Sequence, residues 1–540
     1  VNREALNIAV EIALLLGTSV VGELHITRKQ YLDGSIPTGF QRTAIVGIEG
    51  EIPLQHKKVR IIQLSIEEDS CREVSDVGHL RVYTTDRLGM PLIESVTYPD
   101  MLTPQEAAEA GDYLRHLVRS TGKVRTGIGA GRQDVNVSVT GGTRVEIKGV
   151  AHIRWIPQLT HNEAFRQVSL LQIKSLLEKR GLSADAWTIS HQDIYIEKLS
   201  DPTEDPVEAA KKKRRLTVIN LPGFAGVLSH FTQPGQVFAN ELSDRLKVIA
   251  CLERPNLQHS EQEDDGLSAA DRAVLRKEVD GNDGDAQLLI WGPSQDIDTA
   301  LEVIEERCKM AFDGVPNETR KALPDGTTIF ERVLPGPDRM YPDTDSAPIS
   351  IKEELIEACR KNLPVPIGDY LSLLRRWNVP EDTHYYLIRH NLAARIGEIA
   401  DSNGLSPAFV GTMFGHTVKG VLRRHGWSEG FSFDRVVELC HFAVAQRLER
   451  QVLRELVPLV CRKPQESFES LLVSLHPQVL SDDQLAGKVR ELAEEFGRIG
   501  KSEDPGALER WTVGQLKRQA LGSKPMPELQ SLVKQEVSRG

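Results

Sequence analysis

The sequence predicts a mixed strand and helix fold in its front two thirds and an all-helical rear third. Apolar and polar residues alternate with period two in short segments before residue 150, which is typical of strands with one buried face. From Ile351 onward, nearly every segment has apolar residues at helical spacing instead. At 540 residues the chain is too long for one core, so we expect three or four domains.

The clearest local prediction is a β-hairpin over residues 134–148. Residues 134–139 and 143–148 alternate strictly, and Gly141 and Gly142 accept the positive φ angles of a two-residue turn. One face is apolar, and the other gathers Asp134, Asn136, Ser138, Arg144, Glu146 and Lys148. Such a set can hold a divalent ion through oxygen ligands and meet phosphate with cations. An ordinary hairpin with its polar face in water fits the same pattern and is the simpler interpretation of the pattern alone.

Further carboxylate-rich motifs come before and within this hairpin. They are Glu67-Glu68-Asp69, Asp86-Arg87-Leu88-Gly89 with Glu94, Gly131-Arg132-Gln133-Asp134, and Arg144-Val145-Glu146-Ile147-Lys148. In this order, the motifs resemble the phosphotransfer core shared by the B and E subunits of glutamyl-tRNA(Gln) amidotransferase. The resemblance runs essentially from one end of the chain to the other, which makes it far more specific than any single motif.

The resemblance implies a reaction in two steps. ATP phosphorylates the γ-carboxylate of Glu-tRNA(Gln), and ammonia then displaces phosphate to give Gln-tRNA(Gln). The implied cofactors are ATP and Mg2+. By position, the implied metal ligands are Glu68, Glu94 and Asp134, and the implied catalytic residues, which orient phosphate, are Arg132 and Lys148. The other implied phosphate contacts are Asn136, Ser138 and Arg339. The implied cavity residues are Tyr31 and Gln41. Without the resemblance, Tyr31 and Gln41 are structural residues, and Arg339 equally fits a salt bridge to Asp343 or Asp345.

The resemblance also implies an architecture. An α+β phosphotransfer (cradle) domain carries an inserted α/β aspartyl-tRNA-synthetase-like module and is followed by an all-helical domain and a helical tail. The corresponding segments are 1–254 for the first part of the cradle, 255–322 for the insertion, 323–352 for the return to the cradle, 353–465 for the helical domain, and 466–540 for the tRNA-binding tail. Because B subunits lack the insertion, the E type is the better match.

Partners follow from the same resemblance. They are an asparaginase-like amidase, the D subunit, and tRNA(Gln), in a heterotetramer of two D and two E subunits. The best phosphate contacts for tRNA are Arg423, Arg424, Lys517 and Arg518, although exposed helix-face charges are the commoner explanation for any one of them. The net charge of −11 arises entirely in residues 1–352, with 41 basic against 52 acidic residues, while residues 353–540 balance at 25 each. This distribution is compatible with local basic patches that hold RNA.

Several sequence features bear on location and on the start of the chain. The six cysteines are scattered without a C-x-x-C pair, which argues against disulfides and against a zinc site built from this chain alone and suits a reducing cytoplasm. No apolar run reaches membrane-spanning length. The first residue is Val1, and the family's leading strand with its Glu-x-His ligands does not precede it. We therefore expect a leading segment to be missing and the metal site to be incomplete.

Two other functions stay open at this point. The nearer one is a B subunit that works with A and C partners. The other, from a different class, is a non-catalytic scaffold whose hairpin face only contacts tRNA. Magnesium-dependent and Glu-tRNA-dependent ATP turnover distinguishes the enzyme from the scaffold.

Overall fold

A computed structural model gives the fold and describes residues 1–31, 33–125, 127, 129–262, 266–334, 339–475, 480–499, 504, 506–520, 523–524 and 526–538. Residues 263–265 of the predicted insertion, residues 335–338 of the predicted return segment, and the side chain of Arg518 lie outside the described residues. The chain divides into two compact units, Val1–Leu363 and Pro364–Gly540. The first mixes strands and helices and the second is helical, which confirms the predicted division between front and rear.

All the strands lie in the first unit. In chain order they are β1 (Ser19–Val20), β2 (Glu23–Leu24), β3 (Thr27–Gln30), β4 (Phe40–Pro53), β5 (Lys58–Glu68), β6 (Arg72–Val77), β7 (Leu80–Thr84), β8 (Pro91–Thr97), β9 (Gln133–Val137), β10 (Val145–Val150), β11 (Ser190–Asp193), β12 (Arg215–Leu221), β13 (Phe231–Gln233), β14 (Gln236–Val237), β15 (Leu257–His259), β16 (Ala286–Gly292), β17 (Glu318–Ala322), β18 (Thr328–Val333), β19 (Met340–Pro342) and β20 (Ile349–Ser350), as far as the structure describes the chain.

The helices of the first unit are α1 (Arg3–Leu15), α2 (Pro104–Ser120), α3 (Ile156–Lys179), α4 (Glu204–Lys211), α5 (Phe238–Val248), α6 (Ala269–Glu278), α7 (Ser294–Asp313) and α8 (Glu353–Lys361). Those of the second unit are α9 (Ile367–Arg376), α10 (Glu381–Arg389), α11 (Leu392–Asn403), α12 (Pro407–Thr412), α13 (Lys419–His425), α14 (Phe433–Ala445), α15 (Arg450–Arg462), α16 (Phe468–Ser474), α17 (Asp482–Ile499), α18 (Ala507–Gln519) and α19 (Met526–Val537), with a π-helical turn at Met413–Val418. None of the helices in the described ranges is both long and apolar enough to cross a membrane.

The first sheet has the order β19-β3-β4-β5-β8, with β1 also paired to β4. All of its pairings are antiparallel. Helix α1 contacts β4 and β5 and buries Ala9, Val10, Ile12 and Ala13, so its apolar stripe forms part of this sheet's core. The late strand β19 returns to the edge beside β3, which joins the segment after residue 339 to the start of the chain.

The second sheet contains the predicted hairpin and has the order β18-β17-β10-β9. β9 and β10 pair antiparallel, with Val137 opposite Val145, while β17 runs parallel to β10. The predicted two-residue turn at Gly141 and Gly142 is wrong, because the strands end at Val137 and begin again at Val145. Helix α3 supplies the reason: Gln167 accepts a hydrogen bond from the Val139 N–H and donates one to the Val137 carbonyl, which holds the loop open.

The third sheet has the order β11-β12-β16-β15 and is antiparallel throughout. β12 and β16 are buried along their length, with α7 and α5 on one side and α4 and α6 on the other. Two of its strands, β11 and β12, come before residue 255, where the sequence places the start of the insertion. The sheet therefore spans that predicted boundary.

The second unit consists of short helices. Asn391, with φ of +53°, separates α10 from α11. Near the end of the chain, α17, α18 and α19 pack together around Leu485, Val489, Leu516, Leu529 and Val533. These three helices form a small core of their own.

Candidate active site

One face of the first sheet is polar where β3, β4, β5 and β8 run side by side. Glu67 on β5 lies opposite Thr43 on β4 and accepts a hydrogen bond of 2.9 Å from the Thr43 hydroxyl. The Lys29 ammonium on β3 lies 3.9 Å from the same Glu67 oxygen. The Glu67 side chain is only 9% exposed, so a carboxylate is held here with little water. Antiparallel register, with side chains alternating between faces, produces this grouping.

Glu94 on β8 shares this face, because it lies opposite Ser65 and therefore two positions along from Glu67 on β5. Burial first, and then the charges of Glu67 and Asp134, raise the pKa of the Glu94 carboxyl to about 7 against the opposing effect of Lys29 and Lys148. Asp134 and Lys148 belong to the hairpin of the second sheet. The carboxylates of both sheets are thus close enough to affect each other's ionisation.

The hairpin contributes a lysine held between two carboxylates. The Lys148 ammonium lies 2.7 Å from Asp134 and 2.6 Å from Glu146, and the Gly149 N–H donates a hydrogen bond of 2.8 Å to Asp134. Burial opposes the charge on Lys148, but the attraction of the two carboxylates outweighs it and raises the pKa of the ammonium. Burial likewise acts to raise the pKa of Asp134, but Lys148 and the Gly149 N–H outweigh it, so that pKa is lowered.

We call Glu67, Glu94, Asp134, Glu146 and Lys148 the carboxylate–lysine cluster. The sequence motifs identify Glu94, Asp134 and Lys148 as site residues, and the structure brings these three together with Glu67 and Glu146. The period-two pattern already places Glu146 on the hairpin's polar face. The sequence does not single out Glu67, because only the pairing of β5 with β8 decides which of two consecutive glutamates faces Glu94.

Glu68 lies on the opposite side of the first sheet from Glu94. It is opposite Pro91 on β8 and lies 3.7 Å from Arg42, which also binds Asp343 at 3.0 Å. The structure therefore does not bring Glu68 together with Glu94 and Asp134. Arg132 lies just before β9, and its guanidinium is 3.4 Å from Asp69. Arg132, a predicted phosphate-orienting residue, is thus paired with Asp69, which lies two residues after Glu67 of the cluster.

Asn136 and Ser138 continue the polar face of β9. Asn136 is exposed opposite Glu146, and Ser138 is exposed one residue beyond the end of the strand. Both have the same parity as Asp134, so they line the same side of the sheet. They are placed where a bound phosphate next to Lys148 can be reached through hydroxyl and amide groups.

The two predicted cavity residues have different contacts. The Tyr31 ring lies under the Arg339 guanidinium, 5.8 Å from its centre, and under Arg332 at 5.5 Å. Among the described residues, the alternative salt bridges of Arg339 are not formed, since Asp343 binds Arg28 and Arg42 instead. Gln41 is buried and donates a hydrogen bond of 2.6 Å to the Glu68 carbonyl, while its Oε1 has no partner within the described ranges.

Strand β17 adds residues that the sequence motifs do not reveal. Its parallel pairing places Thr319 beside Glu146 and Lys321 beside Lys148. Lys321 is exposed and forms no ion pair within the part of the chain that the structure describes. No local signal could have found it, because the pairing joins strands that are far apart in the sequence.

The donor chemistry of the cluster fits Mg2+. Its candidate ligands are carboxylate oxygens, and burial together with the charges of Glu67 and Asp134 raises the pKa of Glu94, an effect that a divalent cation would oppose. Among the described residues, no three or more acidic, histidine or cysteine side chains are already arranged around one point.

The predicted tRNA contacts lie in the second unit. Arg423 and Arg424 are exposed at the carboxyl end of α13, and Lys517 is half-buried in α18. Arg518 follows in α18, but its side chain is outside the described set.

Comparison with known proteins identifies the family of this chain. Residues 1–357 match the GatB/GatE catalytic domain. The chain belongs to the GatB/GatE family. The match covers every residue of the carboxylate–lysine cluster, so the cluster lies inside the domain that the family model calls catalytic.

Individual relatives agree with this membership. The E subunit of glutamyl-tRNA(Gln) amidotransferase from Methanocaldococcus jannaschii is 33% identical over 504 residues, which cover 93% of this chain and 79% of the relative. The E subunits from Methanopyrus kandleri, 35% identical over 85% of this chain and 72% of the relative, and from Methanococcus vannielii, 31% identical over 99% and 85%, are similar to the same extent. The predicted resemblance to E subunits of this amidotransferase enzyme family is confirmed.

Proposed function

We propose that this chain activates the glutamyl group of Glu-tRNA(Gln) with ATP for conversion to Gln-tRNA(Gln). A γ-carboxylate oxygen attacks the γ-phosphorus of ATP, the bond from that phosphorus to the bridging oxygen breaks, and ADP leaves. Ammonia then attacks the acyl carbon, loses a proton, and inorganic phosphate departs. The first step is needed because a carboxylate is a poor electrophile until one oxygen becomes a leaving group. The amidotransferase named in the relatives motivates this proposal.

The observation that carries the proposal is the lysine held between Asp134 and Glu146. Two contacts of 2.7 and 2.6 Å fix the Lys148 ammonium in a charged form, where it can orient a transferring phosphoryl group. Asn136 and Ser138 on the same face, and Arg132 and Arg339 beside it, would bind other phosphate oxygens. Tyr31 and Gln41 would line the space for the glutamyl end of the tRNA.

Glu94 and Asp134 are the residues that would hold Mg2+, with Glu67 next to them. Glu68 stays a predicted ligand, although it lies on the other side of the first sheet. When bound, the ion supplies positive charge that stabilises the phosphates during transfer. Burial and the neighbouring acids raise the pKa of Glu94, and a bound cation would favour its carboxylate form and lower that pKa again.

We further propose the partners and architecture that the resemblance implies. A separate asparaginase-like D subunit would supply ammonia, and two D with two E subunits would form a heterotetramer. The cradle, inserted module, helical domain and tail would follow the five predicted segments. Arg423, Arg424, Lys517 and Arg518 would contact tRNA phosphates. The similarity to E subunits over most of the chain favours this assembly over a B subunit with A and C partners.

Replacing Asp134 with Ala tests the proposal. We would measure ADP formation that depends on both Mg2+ and Glu-tRNA(Gln), with ammonium as nitrogen donor, and tRNA binding in parallel. ADP formation should fall about a hundredfold, by analogy with the loss of one preorganised charge-stabilising group, while tRNA binding is retained. A matched control is Glu51→Ala. Glu51 on β4 also forms an ion pair with a lysine of the neighbouring antiparallel strand, Lys58 on β5, but this pair is exposed.

Three outcomes would contradict the proposal. Wild-type ADP formation in Asp134→Ala would leave the hairpin with a structural role only. A wild-type chain that binds tRNA without cleaving ATP would favour the non-catalytic scaffold. An equal loss in Glu51→Ala would show that the effect does not belong to the cluster.

A further inference from the structure

The second unit presents an exposed tryptophan next to a run of basic residues. Trp427 is 58% exposed and follows Gly426, whose φ of +75° ends α13 and turns the chain outward. An exposed indole offers a flat apolar ring together with a polar N–H, so it can pack on a planar ligand. Its surroundings decide which ligand it fits.

The indole is supported from behind. Its ring centre lies 5.5 Å from those of Phe431 and Phe433, both in edge-to-face geometry, and 6.3 Å from that of His390. Phe431 is buried, so the support itself is anchored in the core of the unit. The ring is thus held in place with much of its surface open, which lowers the entropy lost when a planar ligand packs on it.

The sequence just before Trp427 is basic. Residues 419–427 contain Lys419, Arg423, Arg424 and His425 and no acid, and the nearest following acid is Glu429. Arg423 and Arg424 are exposed, and neither forms an ion pair with any residue that the structure describes. Arg389, at the end of α10, is exposed next to His390. We call Arg389, His390, Arg423, Arg424, His425 and Trp427 the aromatic–basic patch.

We propose that the aromatic–basic patch binds RNA, with the Trp427 ring stacked on an unpaired base of the tRNA. The arginines contact the phosphates on either side of that base. Every base offers a flat face for stacking, but a duplex covers both faces, so the ligand is an unpaired nucleotide. A protein partner is disfavoured, because a single ring surrounded by cations lacks the contiguous apolar area of a protein interface. This inference rests on the proposed function, which supplies the tRNA.

The test compares two replacements of similar packing that differ in having a ring. Binding of a labelled tRNA(Gln) transcript to the full chain is measured without ATP across a salt series. Trp427→Leu should weaken binding about tenfold, which corresponds to about 1.4 kcal/mol, and leave the salt slope unchanged. Trp427→Phe should stay close to wild type. Arg423→Ala should instead reduce the salt slope by about one.

A fully paired RNA duplex is the control ligand, and Trp427→Leu should bind it as the wild type does. The Leu and Phe variants should unfold at the same temperature. A difference in their tRNA affinity then comes from the ring and not from a loss of folding. Equal tRNA affinity of the Leu and Phe variants, or an equal loss on the duplex, would overturn the proposal. So would weaker binding of an amidase subunit together with unchanged tRNA binding, since this identifies a protein surface.

The outcome is separable from that of the proposed function. If the wild type binds tRNA and the Leu variant does not bind it as well, the patch stands even where no ATP is cleaved. If the wild type cleaves ATP and the Leu variant binds tRNA normally, the proposed function stands and the patch does not.

Discussion

The two faces of the second sheet hold ionisable residues under opposite conditions. The open face carries Asp134, Glu146 and Lys148, the part of the carboxylate–lysine cluster that belongs to this sheet. The other face belongs to a network of buried ions from α3, α5, α7 and β17, which we call the buried ionic network: Glu163, Arg166, Glu241, Arg245, Arg307, Glu318 and Arg320. Every member of the network is at most 3% exposed. The two sets use the same kinds of residue for different purposes.

Strand β17 shows how one segment serves both faces. Glu318 and Arg320 point into the network, and the Arg320 guanidinium lies 2.7 Å from Glu318. Thr319 and Lys321 alternate with them and lie beside Glu146 and Lys148. Since a strand alternates its side chains between faces, the network and the cluster are fixed to the same backbone. A buried anchor therefore sets the position of the strands that carry the cluster.

The charges are balanced differently in the two sets. In the network, Arg166 contacts Glu163 at 2.9 Å, Glu241 at 2.9 Å and Glu318 at 3.1 Å. Burial opposes the charge of Glu241, but the surrounding arginines outweigh it and lower its pKa strongly. In the cluster, burial and neighbouring acids raise the pKa of Glu94 to about 7. The glutamates of the network are paired with arginines inside the fold, although Arg245 Nε and the Nε and Nη1 of Arg307 lack hydrogen-bond partners among the described residues. Glu94 in the cluster is instead held where its charged form is disfavoured.

The largest expected effect is on stability and follows from removing the centre of the network. Arg166→Met leaves three buried glutamates short of a cation, which should cost about 3–5 kcal/mol. Because the chain has two units, we would measure the opening free energy of β17 by amide hydrogen exchange rather than one global unfolding value.

The control for this prediction is a pair at the surface. Arg60 binds Asp100 at 2.7 Å on an exposed edge, and Arg60→Met should change exchange of β17 very little. Equal exchange rates in Arg166→Met and wild type would mean that the network contributes nothing to holding β17. The comparison between the two faces would then fail.

How far the sequence predicts these two regions depends on the range of the interactions. The hairpin and its polar face follow from period-two alternation, which is local, so the sequence correctly predicts that Asp134, Glu146 and Lys148 share one face. It does not predict the turn, because the turn's geometry depends on Gln167 from α3. Choosing between Glu67 and Glu68 needs the register of β5 with β8, and Lys321 needs the parallel pairing with β17.

The buried ionic network illustrates the same limit. Its four arginines and three glutamates form an ordinary polar pattern on the elements that carry them, and nothing local distinguishes a buried arginine from a solvated one. Only the packing of α3, α5 and α7 against β17 brings them together. Burial of charge is decided by tertiary structure, whereas the alternation of a hairpin is visible in consecutive residues.

An effect of intermediate size is expected for Glu94→Gln. It should depend on pH, and it should stabilise the protein, whereas Arg166→Met should destabilise it. The folded-state pKa of Glu94, about 7, lies above its ordinary value of 4.5, so the folded chain binds this proton more tightly than the unfolded chain does. Its contribution to stability is full below about pH 4.5 and is lost as the pH rises through about 7. Glu94→Gln removes a charge that the fold disfavours, so it should be more stable than wild type at about pH 8 and similar at about pH 5.

We would measure the opening free energy of β8 by amide hydrogen exchange in both proteins at the two pH values, with EDTA to remove divalent ions. Adding Mg2+ at the higher pH should stabilise the wild type and not the variant, because ligand binding to the folded state adds stability. A Glu94→Gln protein that is less stable than wild type at the higher pH would show that the Glu94 carboxylate is satisfied by the fold, as in the network.

The smallest expected effect on stability concerns Lys321, next to the buried Arg320 on the same strand. Lys321→Gln should change the free energy of unfolding by no more than about 0.5 kcal/mol, because the side chain is exposed and its replacement removes no buried contact.

If the open face binds ATP phosphates, loss of the Lys321 cation beside Lys148 should raise the KM for ATP several-fold with little change in kcat. Kinetics at saturating Glu-tRNA(Gln) separate the two constants, and Lys321→Arg should restore the wild-type KM. A large loss of stability in Lys321→Gln, of the size expected for Arg166→Met, would mean that the outward positions of β17 also support the fold. An unchanged KM would mean that phosphate binding is confined to β9 and β10, and that β17 contributes only through its buried residues.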